Sequence, residues 1–383
     1  MKEANARLSG ALVLLAVLLM LPYLVPVGLS QSYSQSYQLL DHPDGSTHYR
    51  LNIAIPESLY AYYADKSHSL YTDSDFAKFV TPYALKPIAD SLWQIYSDDE
   101  DFANGALMMV HQIPYSETTP PEYPVETLVE NRGDCDLFSY IAASIIEAGG
   151  IDVVLLLYRN EAHMNIGVAL SHEPQDARGQ VYYVLNNNVR YYVAECTGGQ
   201  WETGWRVGEN PPELIQALNN VEVITLQNSE QWAPGQVSAS YETLASSTIS
   251  LATSATFLIQ GSVITLSGQL LPSLQNRTVT IYVKIDTSPW IVLGTTQTDS
   301  SGRFTYAWSA ESAGTCYVRA SWSGDNTYSN ADSPIQTVTV LSMFLVLLLA
   351  VLLVLVAVGA VVFVMSRHAQ PSIEEPQPPE IPS

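Results

Sequence analysis

Basic residues are scarce in this chain. Five lysines and eleven arginines stand against 38 acidic residues, for a formal net charge of −22. A surface of that sign repels a phosphate backbone, so nucleic acid is not an expected partner. Cysteine is scarcer still, with only Cys135, Cys196 and Cys316. An odd count cannot pair completely, so no disulfide framework is expected and at least one thiol stays free. No His-Glu-x-x-His, no Cys-x-x-Cys and no Gly-rich phosphate loop occurs, and the seven histidines are scattered. Those absences leave no expected metal and no expected cofactor.

Two apolar runs are long. Residues 8–29 follow Lys2 and Arg7, and segment 1–30 reads as a signal peptide or an N-terminal anchor. Residues 341–365 carry no charge, enough for a helix to cross roughly 30 Å of hydrocarbon. Arg367 and His368 follow at once, which predicts a cytoplasmic C-terminal side. The Pro- and Glu-rich segment 366–383 reads as a disordered cytoplasmic tail. The chain is therefore expected in the cell membrane, crossing it once, or twice if the N-terminal segment is retained. Everything between the two runs is expected outside the cell.

Residues 31–227 read as one α+β domain with an N-terminal extension. A strand over 49–55 stops at Pro56, and a helical pattern over 58–96 breaks at Pro82 and Pro87. The acidic run 97–101 precedes a second helix over 102–111, where carboxylates oppose the positive end of the helix dipole. A calcium loop is the sharper alternative for that run, without regular ligand spacing to support it. A helix over 136–148 closes at Gly149-Gly150. Residues 153–158 form an uninterrupted apolar strand, buried on both faces. Strands over 162–170, 181–185 and 189–196 follow, with a turn at Asn186-Asn187-Asn188. Residues 228–255, rich in Ser and Thr, read as a linker. Short strands between Gly, Asp, Asn and Ser turns over 256–340 predict an all-β sandwich. Asn276-Arg277-Thr278 is a glycosylation sequon between two of those strands.

The chemistry gathers on three residues. Cys135 falls in the first turn of the 136–148 helix, where free N–H groups favour an anion. His163 opens a strand on which His163, Asn165 and Gly167 share one face while Met164, Ile166 and Val168 share the other. Glu195 shares a face with Tyr191 and Val193 on the partner strand, placed to orient an imidazole. Each residue alone has an ordinary structural reading: a packed cysteine, a satisfied strand histidine, a solvated strand-end glutamate. Cys316 in its strand reads as a small buried apolar residue.

The set Gly133-Asp134-Cys135-Asp136, the His163 strand, and Tyr191-Tyr192-Val193-Ala194-Glu195-Cys196-Thr197-Gly198 with Trp205-Arg206-Val207-Gly208-Glu209 resembles the transglutaminase-like cysteine superfamily. It is most similar to an exported, largely archaeal, membrane-anchored branch, over roughly residues 45–215. The resemblance implies a papain-like core, with Cys135 as nucleophile, His163 as base and Glu195 as orienting acid. It also implies acyl transfer through a thioester, to water or to an amine. The chain departs from the branch at Leu137, where a second acid is usual, and at His111-Gln112 ahead of Ile113-Pro114-Tyr115. An oxyanion role for His111 or Gln112 is not carried over. Cys196, beside the acid, is expected to pack, with oxidation to Cys135 open if the two meet. Gly268, Thr298-Asp299-Ser300-Ser301-Gly302 and Tyr317-Val318-Arg319-Ala320-Ser321 are similar to microbial immunoglobulin-like surface repeats.

The expectation is a surface-anchored thiol enzyme acting on protein or peptide substrates, with hydrolysis of peptide-like amides ahead of cross-linking. The alternative is a non-catalytic adhesion or assembly protein that uses the same fold as a binding module. Oligomeric state is not legible.

Overall fold

The computed structural model describes residues 32–198, 200–242, 245–325 and 327–368. The N-terminal apolar segment 1–30 and most of the expected tail lie outside the described residues. The described chain is a mixed helix-and-sheet domain, a β-sandwich and a C-terminal helix.

The first domain opens with β1 (Ser32–Leu40) and β2 (His48–Pro56), an antiparallel pair. The polar, Ser/Tyr-rich start of the chain forms this first strand. Ser32, Ser34, Ser36 and Gln38 face outward, and Tyr37, Leu39 and Leu40 are buried. Helices α1 (Glu57–Ala64), α2 (Pro82–Leu92), α3 (Asp99–Val110), α4 (Pro124–Glu130) and α5 (Cys135–Ala148) follow. Pro82 starts α2 as its spacing suggests, but Pro87 lies inside the helix rather than ending it. Proline removes the donor that would reach the Tyr83 carbonyl. The Gln236 side chain donates to that carbonyl instead, at 2.8 Å. The acidic run caps α3: the Asp98 carboxylate accepts from the backbone N–H groups of Glu100 and Asp101, satisfying two otherwise orphaned donors.

Strands β3 (Val153–Tyr158), β4 (His163–Val168), β5 (Tyr183–Asn186), β6 (Val189–Ala194) and β7 (Glu222–Thr225) form an antiparallel sheet in the order β5-β6-β4-β3-β7. The alternation along β3 splits its side chains between two clusters. Val153 and Leu155 join the main core with α5, while Val154, Leu156 and Tyr158 face a smaller cluster completed by Leu214. Asn187 and Asn188, both at positive φ, make the β5–β6 turn. Helix α5 packs on α2 and against β4, so Cys135 and His163 begin neighbouring elements.

The stretch expected as a linker is built into both domains. The N–H of Glu230 donates to Val80 O and that of Val237 to Ala84 O, and β8 (Ser238–Ser240) extends the β1–β2 sheet. Ala233, Val237 and Ala239 are buried there. Their small size hides the burial from a composition reading. The sandwich begins earlier than position 256, with β9 (Thr248–Ile249) and β10 (Ala252–Thr253), and β11 (Phe257–Ile259) follows. It continues through β12 (Val263–Leu271), β13 (Thr278–Ile285), β14 (Ile291–Gln297), β15 (Arg303–Ser309), β16 (Gly314–Trp322), β17 (Ala331–Asp332) and β18 (Gln336–Leu341). One sheet runs β10-β12-β15 and the other β11-β18-β16-β13-β14. Ile264, Leu266, Val279, Ile281, Val318 and Val338 fill the space between them. Asn276 is exposed in a turn at φ 57°.

The outer face of the second sheet is docked against the first domain. Ser58 donates to the Asp332 carboxylate from both its backbone N–H and its hydroxyl, each at 2.8 Å. The Ser58 and Ser321 hydroxyls are 2.8 Å apart, and Thr280 Oγ1 donates to Pro234 O at 2.9 Å. Arg319, 3% exposed, lies over the Trp290 ring at 4.5 Å. Among the described residues one helix, α6 (Met343–His368), is long and apolar enough to cross a membrane, with a mean hydropathy of 3.4 over Met343–Val362 and none of it buried.

Candidate active site

Helix α4 ends at Asn131 in the left-handed conformation, φ 51°, and the chain then doubles back to start α5. Gly133 makes that turn possible. A Cβ there would meet Leu137 Cβ, Phe138 Cε1 and Thr127 Cγ2 at 3.1 Å each. Its backbone is clamped to the preceding loop, with Gly133 N–H donating to Pro114 O and Ser116 N–H to Gly133 O. Asp134 takes the N-cap position, but its carboxylate accepts from Thr118 N–H at 2.7 Å rather than capping the helix. Cys135 is thus the first residue of α5, at the end where unpaired N–H groups accumulate. The Ser139 hydroxyl contacts the carbonyls of Cys135, at 2.7 Å, and of Met164, at 3.2 Å, tying this first turn to β4.

His163 opens β4 with Met164, Ile166 and Val168 buried behind it in the main core. Its Nε2 lies 2.9 Å from Glu195 Oε2, and Cys135 lines the same cleft as the ring. With Nε2 committed to Glu195, Nδ1 is the nitrogen left to face sulfur. Glu195 is fully buried and further held by Asn165 Nδ2 at 3.2 Å, by Thr197 N–H at 2.8 Å and by the Thr197 hydroxyl. Burial works against the imidazolium, but the Cys135 and Glu195 partners outweigh it and raise the His163 pKa to about 10. Burial likewise works against the Glu195 carboxylate. His163 and the two Thr197 donors overcome this and hold its pKa below the usual value. The structure therefore brings Cys135, His163 and Glu195 together.

Cys135 and His163 line a cleft of about 400 Å³ that also contains Tyr115, Glu117, Asp134 and Asp136, while Glu195 is buried. His163 is the only cationic side chain in that lining. Burial, a hydrogen bond to Asp134 and that neighbour's charge raise the Asp136 pKa to about 8. Glu122 is raised to about 7 by burial and by Glu130.

A carboxyl whose folded pKa exceeds its unfolded one binds a proton that unfolding releases. Its favourable contribution is complete below the unfolded pKa and is lost as pH rises through the folded value. For Asp136 and Glu122 that window runs from about pH 4 to about pH 8. Urea unfolding of the full chain is expected to show lower stability at about pH 8 than at about pH 5. Asp136→Asn should flatten that slope.

Other residues singled out in the sequence take up positions around this site. His111 is buried and its Nε2–H donates to the Glu195 carbonyl at 2.9 Å, so it positions the acid's backbone. Burial pushes its pKa down, as suits a neutral donor. Gln112 turns away from the cleft, accepting from Gln38 N–H at 2.9 Å and donating to Gln38 O at 2.8 Å. Cys196 is fully buried in the main core and Cys316 in the sandwich, and all three cysteines are free. Away from the cleft, His42, Asp101 and Asp176 each place a ligand-type atom within 4.8 Å of the others, as do Asp98, Asp99 and His172. A divalent cation is the kind of ligand either trio could hold. Neither grouping was legible in the sequence, because each joins segments far apart in the chain.

Comparison with known proteins assigns one part of the chain. Residues 248–341 match the family model for the bacterial Ig-like domain (group 3), and no transglutaminase-like family model matches. No curated protein matches the chain. Among solved structures, a C-terminal 282-residue fragment of intimin, bound to its translocated receptor's intimin-binding domain, is 18% identical. That alignment covers 24% of this chain and 31% of the fragment at a TM-score of 0.19, so the chain spans under a third of that fragment. The D0-D1 domain of intimin is 14% identical over 46% of this chain and 89% of its own length, at a TM-score of 0.20. A bacterial hydrophobin, BslA, is 12% identical over 27% of this chain and its whole length, at 0.17. Scores that low carry no argument about this chain.

Proposed function

We propose that this chain is a membrane-anchored thiol enzyme of transglutaminase-like type, its papain-like core lying within residues 31–227. The observation that carries the reading is the His163–Glu195 pair at 2.9 Å beside a cysteine at a helix N-terminus, in an open cleft. In this reading the Cys135 proton resides on His163 Nδ1, and the Glu195 carboxylate stabilises the imidazolium. Cys135 Sγ attacks an amide carbonyl carbon, and the oxyanion faces the N–H groups that open α5. The C–N bond breaks as His163 protonates the leaving amine. Water or a second amine, deprotonated by His163, then releases the acyl group. Water gives hydrolysis of peptide-like amides, the favoured outcome, and an amine gives cross-linking. The helix α6 would hold the enzyme at the cell surface with Arg367 and His368 on the cytoplasmic side.

The Ig-like match over residues 248–341 favours a second reading, an adhesion or assembly protein whose first domain only binds. Incubating the full chain with a peptide library and a biotinylated primary amine separates the two. A mass adduct on Cys135 with turnover to acid or amide product supports the enzyme. Peptide binding without adduct or turnover, unchanged in Cys135→Ala, would establish the binding module.

A further inference from the structure

The sandwich passes into α6 with almost no slack. Strand β18 ends at Leu341 and α6 begins at Met343. Ser342 between them caps the helix, its hydroxyl accepting from Leu345 N–H and its carbonyl from Val346 N–H, both at 3.1 Å. A helix that spans a bilayer from that point holds the adjoining end of the sandwich against the lipid surface.

That end carries exposed apolar side chains. Strand β11 runs parallel to β18, with Ile259 opposite Leu341 and Phe257 opposite Thr339. Phe257 is 61% exposed and Ile259 38%. The chain then turns through Gly261, at φ +87°, to Val263, which is 65% exposed. The neighbouring turn at Ala310, which accepts from Gly261 N–H, contributes Glu311. Asp286, also near this end, accepts from Thr315 N–H at 2.9 Å. At roughly 3.3 Å per residue, Phe257 stands about 7 Å above Ile259. A headgroup layer is roughly 5–8 Å deep on each side of the hydrocarbon.

We propose that Phe257, Ile259 and Val263 seat the sandwich in the headgroup layer of the bilayer that α6 crosses. The first domain, docked on the sandwich through Ser58 and Asp332, is then carried at a set height above the lipid rather than on a tether. Substrates within reach are those displayed close to the same membrane. The inference rests on α6 being a membrane span.

The test uses the full chain in phosphatidylcholine nanodiscs with Cys135→Ala, so that an introduced cysteine is the only accessible thiol. An environment-sensitive dye is placed at Val263→Cys, at Leu271→Cys on the opposite end of β12, and at Val354→Cys within α6. Adding nitroxide-labelled lipid is expected to quench the probes at 263 and 354 and to leave the probe at 271 bright. The probe at 263 should also show blue-shifted emission in discs compared with detergent. Quenching at 354 with a bright, unshifted probe at 263 overturns the seating and leaves the membrane span intact. A bright probe at 354 overturns the span, and the seating with it. Phe257→Cys repeats the measurement at a second rim position.

Discussion

Glu195→Ala is expected to lower the unfolding free energy by about 3–5 kcal/mol, the usual cost of leaving one partner of a buried pair behind. Glu195 is fully buried, and four donors converge on it: His163 Nε2, Asn165 Nδ2, and the backbone N–H and hydroxyl of Thr197. Alanine leaves all four without the carboxylate they share. Glu195→Gln separates stability from chemistry. Its amide keeps the shape and can accept from Thr197, but it does not stabilise an imidazolium, so most of the stability should remain while thiol reactivity falls. Urea unfolding and alkylation rates measure the two effects. A loss under about 1 kcal/mol in Glu195→Ala would show that the carboxylate is not the hub of this network.

The second large effect lies at the domain junction. Asp332, 3% exposed, receives both the backbone N–H and the hydroxyl of Ser58 at 2.8 Å. A hydrogen bond to a charged group contributes about 1.5–3 kcal/mol, and a buried donor left unmade is costly. Asp332→Ala should therefore lose at least about 1.5–3 kcal/mol, and it should split one cooperative unfolding transition into two. The sandwich and the first domain each have their own core, so each can unfold separately once the coupling is weakened. A single transition at the wild-type midpoint would mean that the contact does not couple the domains.

The legible parts of the chain are those where local pattern and burial agree. The apolar run of β3, the alternation along β4 and the Asn turn before β6 all follow from side-chain period and backbone preference. Those same rules place Cys135 at a helix start and His163 and Glu195 on facing strands, so the three could be picked out before any contact was known. What stayed hidden depends on partners distant in sequence. Pro87 sits within α2 because Gln236, far along the chain, supplies the missing donor. The part of segment 228–255 that joins the first domain buries only small side chains, Ala233, Val237 and Ala239, which a composition reading takes for a linker. His111 reaches Glu195 across 84 positions.

The central claim is that Cys135 and His163 act as a pair. Iodoacetamide labelling of the full chain across about pH 5–9, read at each cysteine by mass spectrometry, tests it most directly. Cys196 and Cys316, both fully buried, serve as internal controls. The account predicts that Cys135 alone reacts, that its rate holds up well below the ~8.5 of an ordinary thiol, and that His163→Ala removes this advantage. A Cys135 rate that follows ordinary thiol titration and ignores His163 would contradict the account and leave the first domain as a binding module.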